Sequence, residues 1–278
     1  MLNKFFTFFL FAGISFVSCT QNDDLVVQKL PKSSETKQPE PQEKADTLTI
    51  EDYFSNSKVI DERVDKLFSK LSDEEKVAQL IMPAMGRLGQ TEETIMKLVA
   101  AKKIGGVLML NGTKEQFTKW IADINAKNAE LGVLPFLYSA DAEPSLVNRK
   151  ITGSTVVKKA AELTTEEEVR TVAQTISKDL NEIGINYNFA PVSDMASNST
   201  VGYRGFGKDP KNIVPFSWAF IEESSKANII STAKHFPGHG ATENDSHYTL
   251  PLINATREQL EDVLRHPASG DSGQRGKT

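Results

Sequence analysis

The chain has 278 residues, of which 39% are hydrophobic and 25% are charged, a composition typical of a soluble globular protein. Its formal net charge is -5 and it has no block of basic residues, which argues against nucleic-acid binding. Because the chain has a single cysteine, an intramolecular disulfide and a cysteine-built zinc site are both excluded.

The N-terminal residues predict secretion and lipid attachment. Residues 1–18 have the pattern of a signal peptide, with Lys4 ahead of an apolar run that is too short to cross a bilayer comfortably. Cys19 follows directly and resembles the modified cysteine of a bacterial lipobox, so we expect a lipid-anchored protein of the bacterial cell envelope. Residues 19–48 are rich in Lys, Glu, Gln, Pro and Ser, which predicts a disordered tether.

Helix-capping patterns predict four helices between residues 49 and 264. Ser72 and Thr113 each begin a capping box, Thr165 begins a similar pattern, and Asp209 precedes a proline suited to the first helical position. The apolar positions expected along the first, second and fourth helices are Val77, Leu80 and Ile81, then Phe117, Ile121 and Ile124, then Phe216, Phe220 and Ile221, and Gly184 is expected to end the third helix after Ile183.

Apolar segments between these helices predict buried strands. Four are clear, at residues 104–110, 134–139, 185–190 and 229–233, and weaker ones lie near Leu80 and Ile151. The alternation predicts an α/β fold with a parallel sheet covered by helices, and periodicity alone leaves a closed barrel and an open sheet as alternatives. In both, functional sites lie at the carboxyl ends of the strands, and the polar residues that follow the strands are Asp141, Asp194, Arg204 and the segment 234–247.

The segment 234–247 is the densest in groups that can carry chemistry, and its proline and glycines predict a tight, irregular loop. Asp245 and His247 can form a dyad in which the carboxylate fixes the tautomer of the imidazole and the ring exchanges protons near neutral pH. A metal site built from His235, His239, His247 and Asp245 is the alternative, although the loop cannot align the first two histidines on a helix.

Three motifs resemble the N-terminal barrel domain of family 3 glycoside hydrolases, in particular the bacterial β-N-acetylhexosaminidases that act on peptidoglycan fragments. They are KHFPGHG followed by DSH at 234–247, NFAPVSD at 188–194 and YRGFG at 203–207, and the resemblance runs from about residue 60 to 264. It implies a TIM-type (β/α)8 barrel, a retaining mechanism through a glycosyl-enzyme intermediate, a substrate containing N-acetylglucosamine, and no cofactor or metal.

The resemblance also implies roles for individual residues. His247 corresponds to the acid/base, oriented by Asp245, in place of the second carboxylic acid that most such enzymes use. Lys234 and His235 correspond to a pair that hydrogen-bonds sugar hydroxyls, and Arg204 corresponds to a partner of that pair from the preceding βα unit.

A further sugar contact is implied by the family pattern D-x-E-G-G-R-x-x-R, which aligns with residues 141–149. Asp141 and Arg149 match the first and last positions of the pattern. The two glycines are replaced by Pro144 and Ser145 and the first arginine by Leu146, so the close backbone approach that glycine permits is not expected here.

The family's nucleophile is an aspartate late in the barrel, and no aspartate within residues 1–278 matches it. Asp194 follows an early strand and is predicted to be a packing or loop-capping residue. Residues 265–278 form an anomalous polar tail that suits a natural terminus or a truncated or frame-shifted sequence. About 215 residues remain for a barrel that typically needs about 250, so we expect one that stops before its last strands, with low stability and little or no activity.

The leading hypothesis is therefore a glycosidase that removes terminal β-N-acetylglucosaminyl groups, inactive in this form because the nucleophile is missing. The runner-up is a non-catalytic, lipid-anchored carbohydrate-binding protein, and a metal hydrolase is a third possibility. Phosphorolysis stays open, since a histidine acid/base does not repel phosphate as a carboxylate does. The expected partners are a glycan and a membrane, with no nucleic acid.

Overall fold

The structure of the protein is a computed structural model that describes residues 49–53, 57–195, 198–242, 244, 247–253 and 255–259. The chain divides into two units, residues 1–46 and 47–278. The predicted signal peptide, lipidated Cys19, tether and polar tail lie outside the described residues. Within the described part of the chain, no helix combines the length and apolar character needed to cross a membrane.

Helices and short strands alternate along the described residues. The helices are α1 (Ile50–Tyr53), α2 (Lys58–Phe68), α3 (Asp73–Ala78), α4 (Glu92–Ala100), α5 (Lys114–Leu131), α6 (Val147–Lys150), α7 (Glu166–Ile183) and α8 (Pro210–Lys226), with a 3₁₀ turn at Ala160–Glu162. The strands are β1 (Ala84–Met85), β2 (Gly106–Met109), β3 (Gly112–Thr113), β4 (Leu137–Ala140), β5 (Ile151–Thr152), β6 (Tyr187–Asn188) and β7 (Ile230–Ser231).

Five of the strands form one parallel sheet in the order β1-β2-β4-β6-β7, and β3 pairs with β5 in a separate ladder. Each new strand of the main sheet is therefore added beside the one before it, on the same side. A doubly wound open sheet would reverse this order at a switch point. The unbroken order is that of a TIM-type barrel, so it favours this alternative over a doubly wound open sheet.

The predicted starts of the helices are confirmed. The side chains of Ser72, Thr113 and Thr165 accept hydrogen bonds from the backbone N–H three residues later, and Asp209 accepts from the N–H two residues later. The first of these helices has the reciprocal bonds of a full capping box. Gly184 ends α7 with φ of 94°, a left-handed conformation that suits glycine.

The expectation that the first of these helices continues through Leu80 and Ile81 is wrong. The helix α3 ends at Ala78, and the side chain of Leu80 is 86% exposed. The carbonyl of Ile81 already accepts a hydrogen bond from Gly105, at the start of the next strand region. A proline at position 83 also disfavours helical conformation in the residue before it, so the chain turns into the sheet at this point.

The clear strand predictions are confirmed in place, although the observed strands are shorter than the apolar segments that predicted them. The weaker segment near Leu80 leads into β1. The segment at Ile151 forms β5, which belongs to the small ladder and not to the main sheet. Apolar runs also include the buried residues that flank a strand, which is why they overestimate its length.

The core lies between the sheet and the helices α4, α5, α7 and α8. Phe117, Ile121 and Ile124 are buried, as the helical stripe predicted, and so are Phe216 and Phe220. Together they form part of one continuous cluster of apolar side chains. This packing keeps the carboxyl ends of the strands in fixed positions relative to each other.

A buried carboxylate links α7 to α8. Glu223 of α8 accepts hydrogen bonds from Lys226 Nζ at 2.7 Å, Gln174 Nε2 at 2.8 Å and Arg170 NH1 at 2.9 Å. Its hydrogen bond with Lys226, followed by those with Gln174 and Arg170, lowers the pKa of Glu223 to about 2 despite the burial. The charged form of this side chain therefore contributes to the stability of the helix pair.

We predict that Glu223→Gln destabilises the folded protein by about 1–3 kcal/mol at neutral pH, because the amide replaces a charged acceptor of three hydrogen bonds. The pKa in the fold is lowered, so the stabilisation is present above the usual glutamate pKa of about 4.3 and is lost as the pH falls from there towards 2. Urea denaturation between pH 7 and pH 3 measures both effects.

The matched control for this experiment is Glu130→Gln, which removes an exposed carboxylate whose one ion-pair partner among the described residues is Lys127. This control should change the free energy of unfolding by less than about 0.5 kcal/mol. An equal loss of stability in the two variants, or a pH dependence that Glu223→Gln leaves unchanged, would contradict the prediction.

Candidate active site

The predicted polar residues meet at the carboxyl ends of three neighbouring strands of the main sheet. Asp141 directly follows β4, and Lys234 lies three residues after β7. Val192, beyond β6, forms a parallel bridge with Lys234, and the N–H of Ser193 donates to the carbonyl of Lys234 at 2.7 Å. Since β6 lies between β4 and β7 in the sheet, the three loops that follow these strands are neighbours.

Four side chains form a carboxylate–cation cluster: Asp141, Glu143, Arg204 and Lys234. Glu143 accepts from Arg204 Nε at 2.9 Å and from Arg204 NH2 at 2.6 Å, a bidentate pair. The ammonium group of Lys234 lies 2.7 Å from Glu143 Oε1 and 2.9 Å from Asp141 Oδ1, so it joins the two carboxylates. The prediction that places Asp141, Arg204 and Lys234 in one site is in accord with this geometry.

Glu143 was not among the predicted site residues, although it is the centre of this cluster. Its side chain is fully buried, whereas those of Arg204 and Lys234 are partly open to solvent. The hydrogen bonds that Arg204 donates to Glu143 raise the pKa of Arg204 above its usual value. The sequence signal for Glu143 was its match to the glutamate of the family pattern, a position to which we had assigned no role.

Asp141 is held between two lysines. Lys234 is bonded to one of its oxygens, and Lys150 of α6 lies 3.4 Å from the other. Burial alone would raise the pKa of Asp141, but the two lysines outweigh burial and hold this pKa below its usual value. Arg149, the predicted contact of this region, is exposed and makes no contact with the cluster among the described residues, whereas Lys150, the next residue, contacts Asp141.

The residues that replace the two glycines and the first arginine of the pattern pack into the protein. Pro144 and Leu146 are buried. The hydroxyl of Ser145 donates to the carbonyl of Tyr203 at 2.7 Å and accepts from the N–H of Ala160 at 2.9 Å. Ser145 therefore connects this loop to the residue just before Arg204.

The loop at 234–240 is tight and irregular, as predicted. Three peptide bonds in this region are cis: Ala190–Pro191, Lys234–His235 and Phe236–Pro237. Gly238 has φ of 128°, and a Cβ at Gly240 would overlap the backbone of Met195. Both positions therefore favour glycine.

Asp194 holds two histidines of this loop, an arrangement called here the Asp194 clasp (Asp194, His235 and His239). Its Oδ2 accepts from the backbone N–H of His235 at 3.2 Å and lies 2.5 Å from Nδ1 of the same ring. Its Oδ1 accepts from the backbone N–H of His239 at 2.6 Å. Asp194 therefore does cap the loop, as one of its two sequence-based interpretations proposed.

The protonation of the clasp follows from its hydrogen bonds. Burial would raise the pKa of Asp194, but the bonds from the His235 ring and the His239 N–H outweigh it and keep this pKa below its usual value. The aspartate is therefore ionised at neutral pH and only accepts hydrogen bonds.

The metal alternative finds no support in the described part of the site. Nδ1 of His235 is bonded to Asp194, and Nδ1 of the buried His239 lies 2.6 Å from the hydroxyl of Thr242. Among the described residues, no group of three potential ligands is arranged to hold an ion. Asp245 lies outside the described residues, so the role of the predicted dyad is not tested, and His247 has an exposed side chain.

Comparison with known proteins identifies the family. The family described as "Glycosyl hydrolase family 3 N terminal domain" matches residues 72–268. The chain is 29% identical over 202 residues to the β-hexosaminidase LpqI of Mycobacterium tuberculosis, a match that covers 68% of this chain and 50% of the relative. The chain thus spans about half the length of this curated relative.

Two solved structures agree. A glycoside hydrolase family 3 β-N-acetylglucosaminidase from Paenibacillus sp. is 30% identical with a TM-score of 0.63, covering 71% of this chain and 40% of that one. NagZ from Neisseria gonorrhoeae, solved with N-trifluoroacetyl-D-glucosamine, is 25% identical with a TM-score of 0.57, covering 68% and 57%. With the family match extending over most of the described residues, the chain belongs to glycosyl hydrolase family 3, and the parallel sheet with its polar edge is part of that family's N-terminal barrel domain.

Proposed function

We propose that the protein is a glycosidase of the β-N-acetylhexosaminidase type, and that its described residues bind the terminal N-acetylhexosamine of a glycan. The observation that carries this proposal is the carboxylate–cation cluster at the carboxyl edge of a family 3 barrel. Charged donors and acceptors held at fixed spacing suit the recognition of vicinal sugar hydroxyls, each of which both donates and accepts a hydrogen bond.

Each charged side chain of the cluster has its own proposed role in binding the sugar. Lys234 and Arg204, with small exposed fractions, present N–H donors to the sugar, and Asp141 presents a carboxylate acceptor. Glu143 is too buried to touch the sugar and holds the two cations in place. Lys150, which lies beside Asp141, adds a donor that the family pattern does not place at this position.

The chemistry proposed for the whole protein follows the family's retaining mechanism. His247, oriented by Asp245, would protonate the leaving oxygen and then activate water, and an aspartate nucleophile would form the glycosyl-enzyme intermediate. The expectation that residues 1–278 lack this nucleophile stays a prediction. The runner-up function, sugar binding without catalysis, differs from the leading one only in turnover.

The first experiment therefore measures binding and turnover on the same preparation. Binding of N-trifluoroacetyl-D-glucosamine to the 278-residue chain is followed by ¹⁹F NMR, and hydrolysis of 4-nitrophenyl N-acetyl-β-D-glucosaminide is followed by absorbance. We expect saturable binding. Turnover would support the glycosidase and contradict the expected lack of a nucleophile. Binding without turnover agrees both with a glycosidase that lacks its nucleophile and with the runner-up. No binding of the sugar would overturn the proposed function.

Glu143→Gln should weaken sugar binding by about tenfold, because a neutral amide no longer holds Arg204 and Lys234 together. The ¹⁹F titration measures the change in Kd. Glu223→Gln makes the same chemical change at another buried carboxylate, so it should cost stability and leave the Kd unchanged. Equal affinity in wild type and Glu143→Gln would contradict the assigned part of Glu143.

We also propose that the protein is attached to a bacterial envelope through acyl chains on Cys19. Because this is the only cysteine, thioether lipidation has a single possible site. When the wild type is expressed in bacteria that are fed an alkyne fatty acid, we expect it to carry the alkyne label. We also expect it to enter the detergent phase of a Triton X-114 separation. Cys19→Ser should abolish both results. Label or detergent partitioning that persists in Cys19→Ser would refute the anchor.

A further inference from the structure

We propose that Asp194 is a positioning residue that fixes the tautomer and the orientation of the His235 ring, so that Nε2 of this ring meets the bound sugar. This inference rests on the proposed function and goes beyond it, because it names a residue that acts through another. Asp194 itself has a side chain that is only 1% exposed and cannot reach a ligand in the site.

The argument begins with the two oxygens of the carboxylate. One accepts from both the backbone N–H and the ring of His235, and the other accepts from the backbone N–H of His239. Three donors converge on this one side chain, and two of them belong to the same residue. The carboxylate thereby fixes both the backbone and the ring plane of His235.

The second step concerns the proton on the ring. An ionised carboxylate only accepts, so the close contact of Asp194 Oδ2 with Nδ1 requires the hydrogen to be on Nδ1. In the neutral ring Nε2 is then an acceptor, and in the protonated ring it is a donor. In either state Nδ1 remains bonded to Asp194, and Nε2 is the nitrogen left to exchange hydrogen bonds with a ligand.

The third step is access. The side chain of His235 is 30% exposed, in contrast to its partner. Among the residues that the structure describes, Nε2 of His235 has no hydrogen-bond partner. The preceding residue, Lys234, is already part of the carboxylate–cation cluster, so His235 is adjacent in sequence to a group proposed to bind the sugar.

The charges around the ring support this assignment. Among the described residues, the titratable groups that face His235 are Asp194 on its Nδ1 side and the His239 ring, which stands edge-on with centroids 5.5 Å apart. Beyond them, Lys234 is balanced by Asp141 and Glu143. Asp194 is the carboxylate that bonds the His235 ring directly, so its removal should change the ring most.

The substitution Asp194→Asn tests this directly. An amide has one oxygen and one NH₂ group, so it cannot accept at both positions. If its oxygen keeps the His239 N–H, its NH₂ group faces Nδ1 and the ring must move its hydrogen to Nε2. The tautomer is then reversed with little change in the volume of the side chain.

Two measurements separate positioning from simple loop damage. Long-range ¹H–¹⁵N NMR of the full ¹⁵N-labelled chain reports the tautomer of each of its four histidines, and His235→Gln assigns the relevant signals. The ¹⁹F titration with N-trifluoroacetyl-D-glucosamine gives the Kd of wild type, Asp194→Asn, His235→Gln and the double variant. Glu223→Gln serves as the control for lost stability at a distant buried carboxylate.

We expect the Nδ1–H tautomer in wild type, the Nε2–H tautomer in Asp194→Asn, and a loss of affinity of about tenfold. In the His235→Gln background, Asp194→Asn should cause little further loss. An Nε2–H tautomer in wild type would overturn the inference even if Asp194→Asn fails to fold. So would an unchanged tautomer or affinity in Asp194→Asn, or an equal loss of affinity in both backgrounds.

The failure of the proposed function has a different signature. If wild type shows the Nδ1–H tautomer but does not bind the sugar, the clasp holds the ring as described and the sugar-binding proposal fails. If wild type binds the sugar but its ring has the other tautomer, the proposed function stands and the role of Asp194 fails.

Discussion

The buried charge of Glu143 is the constraint on which the arrangement of the site depends. A carboxylate removed from water is costly unless several donors compensate it, and Glu143 receives three charge-assisted contacts from two cations. Those cations come from distant positions in the chain, one in the loop between β6 and α8 and one after β7. Satisfying one side chain therefore draws two loops towards the loop after β4.

Asp194 imposes the same requirement on the loop that follows Lys234. Its buried oxygens are satisfied by backbone and ring donors of a loop that contains a proline and two glycines and forms neither helix nor strand. The two carboxylates differ in what they hold. Glu143 organises two charged side chains, whereas Asp194 organises the backbone and the ring of a neighbouring histidine.

The sheet makes both arrangements possible. Because β4, β6 and β7 are neighbours and run parallel, their following loops emerge at one edge only about 5 Å apart from strand to strand. The bridge between Val192 and Lys234 extends this pairing beyond β6 and β7, so that Asp194 and His235 each lie close to the last paired residue of their segment. Backbone pairing, more than side-chain length, sets the distances in the clasp.

The sequence by itself determined the alternation of helices and strands, the capped starts of the helices and the loop rich in histidine. These features depend on local patterns, such as Thr165 at the start of α7 and Gly184 at its end, where a few neighbouring residues decide the conformation. The motif resemblance also predicted Asp141, Arg204 and Lys234 as site residues, and the structure places these three side chains in one cluster.

Only the tertiary structure decided which of the charged residues meet. Glu143 and Arg204 are 61 positions apart, and no periodicity of the sequence relates them. They meet because the buried carboxylate of Glu143 requires charged hydrogen-bond donors. In the short helix α6, the side chain of Lys150 lies beside Asp141, whereas that of Arg149 is exposed to solvent. The spacing of residues in the sequence does not specify which of the two makes this contact. The order of the strands likewise required the pairing itself, since a barrel and an open sheet bury the same apolar segments.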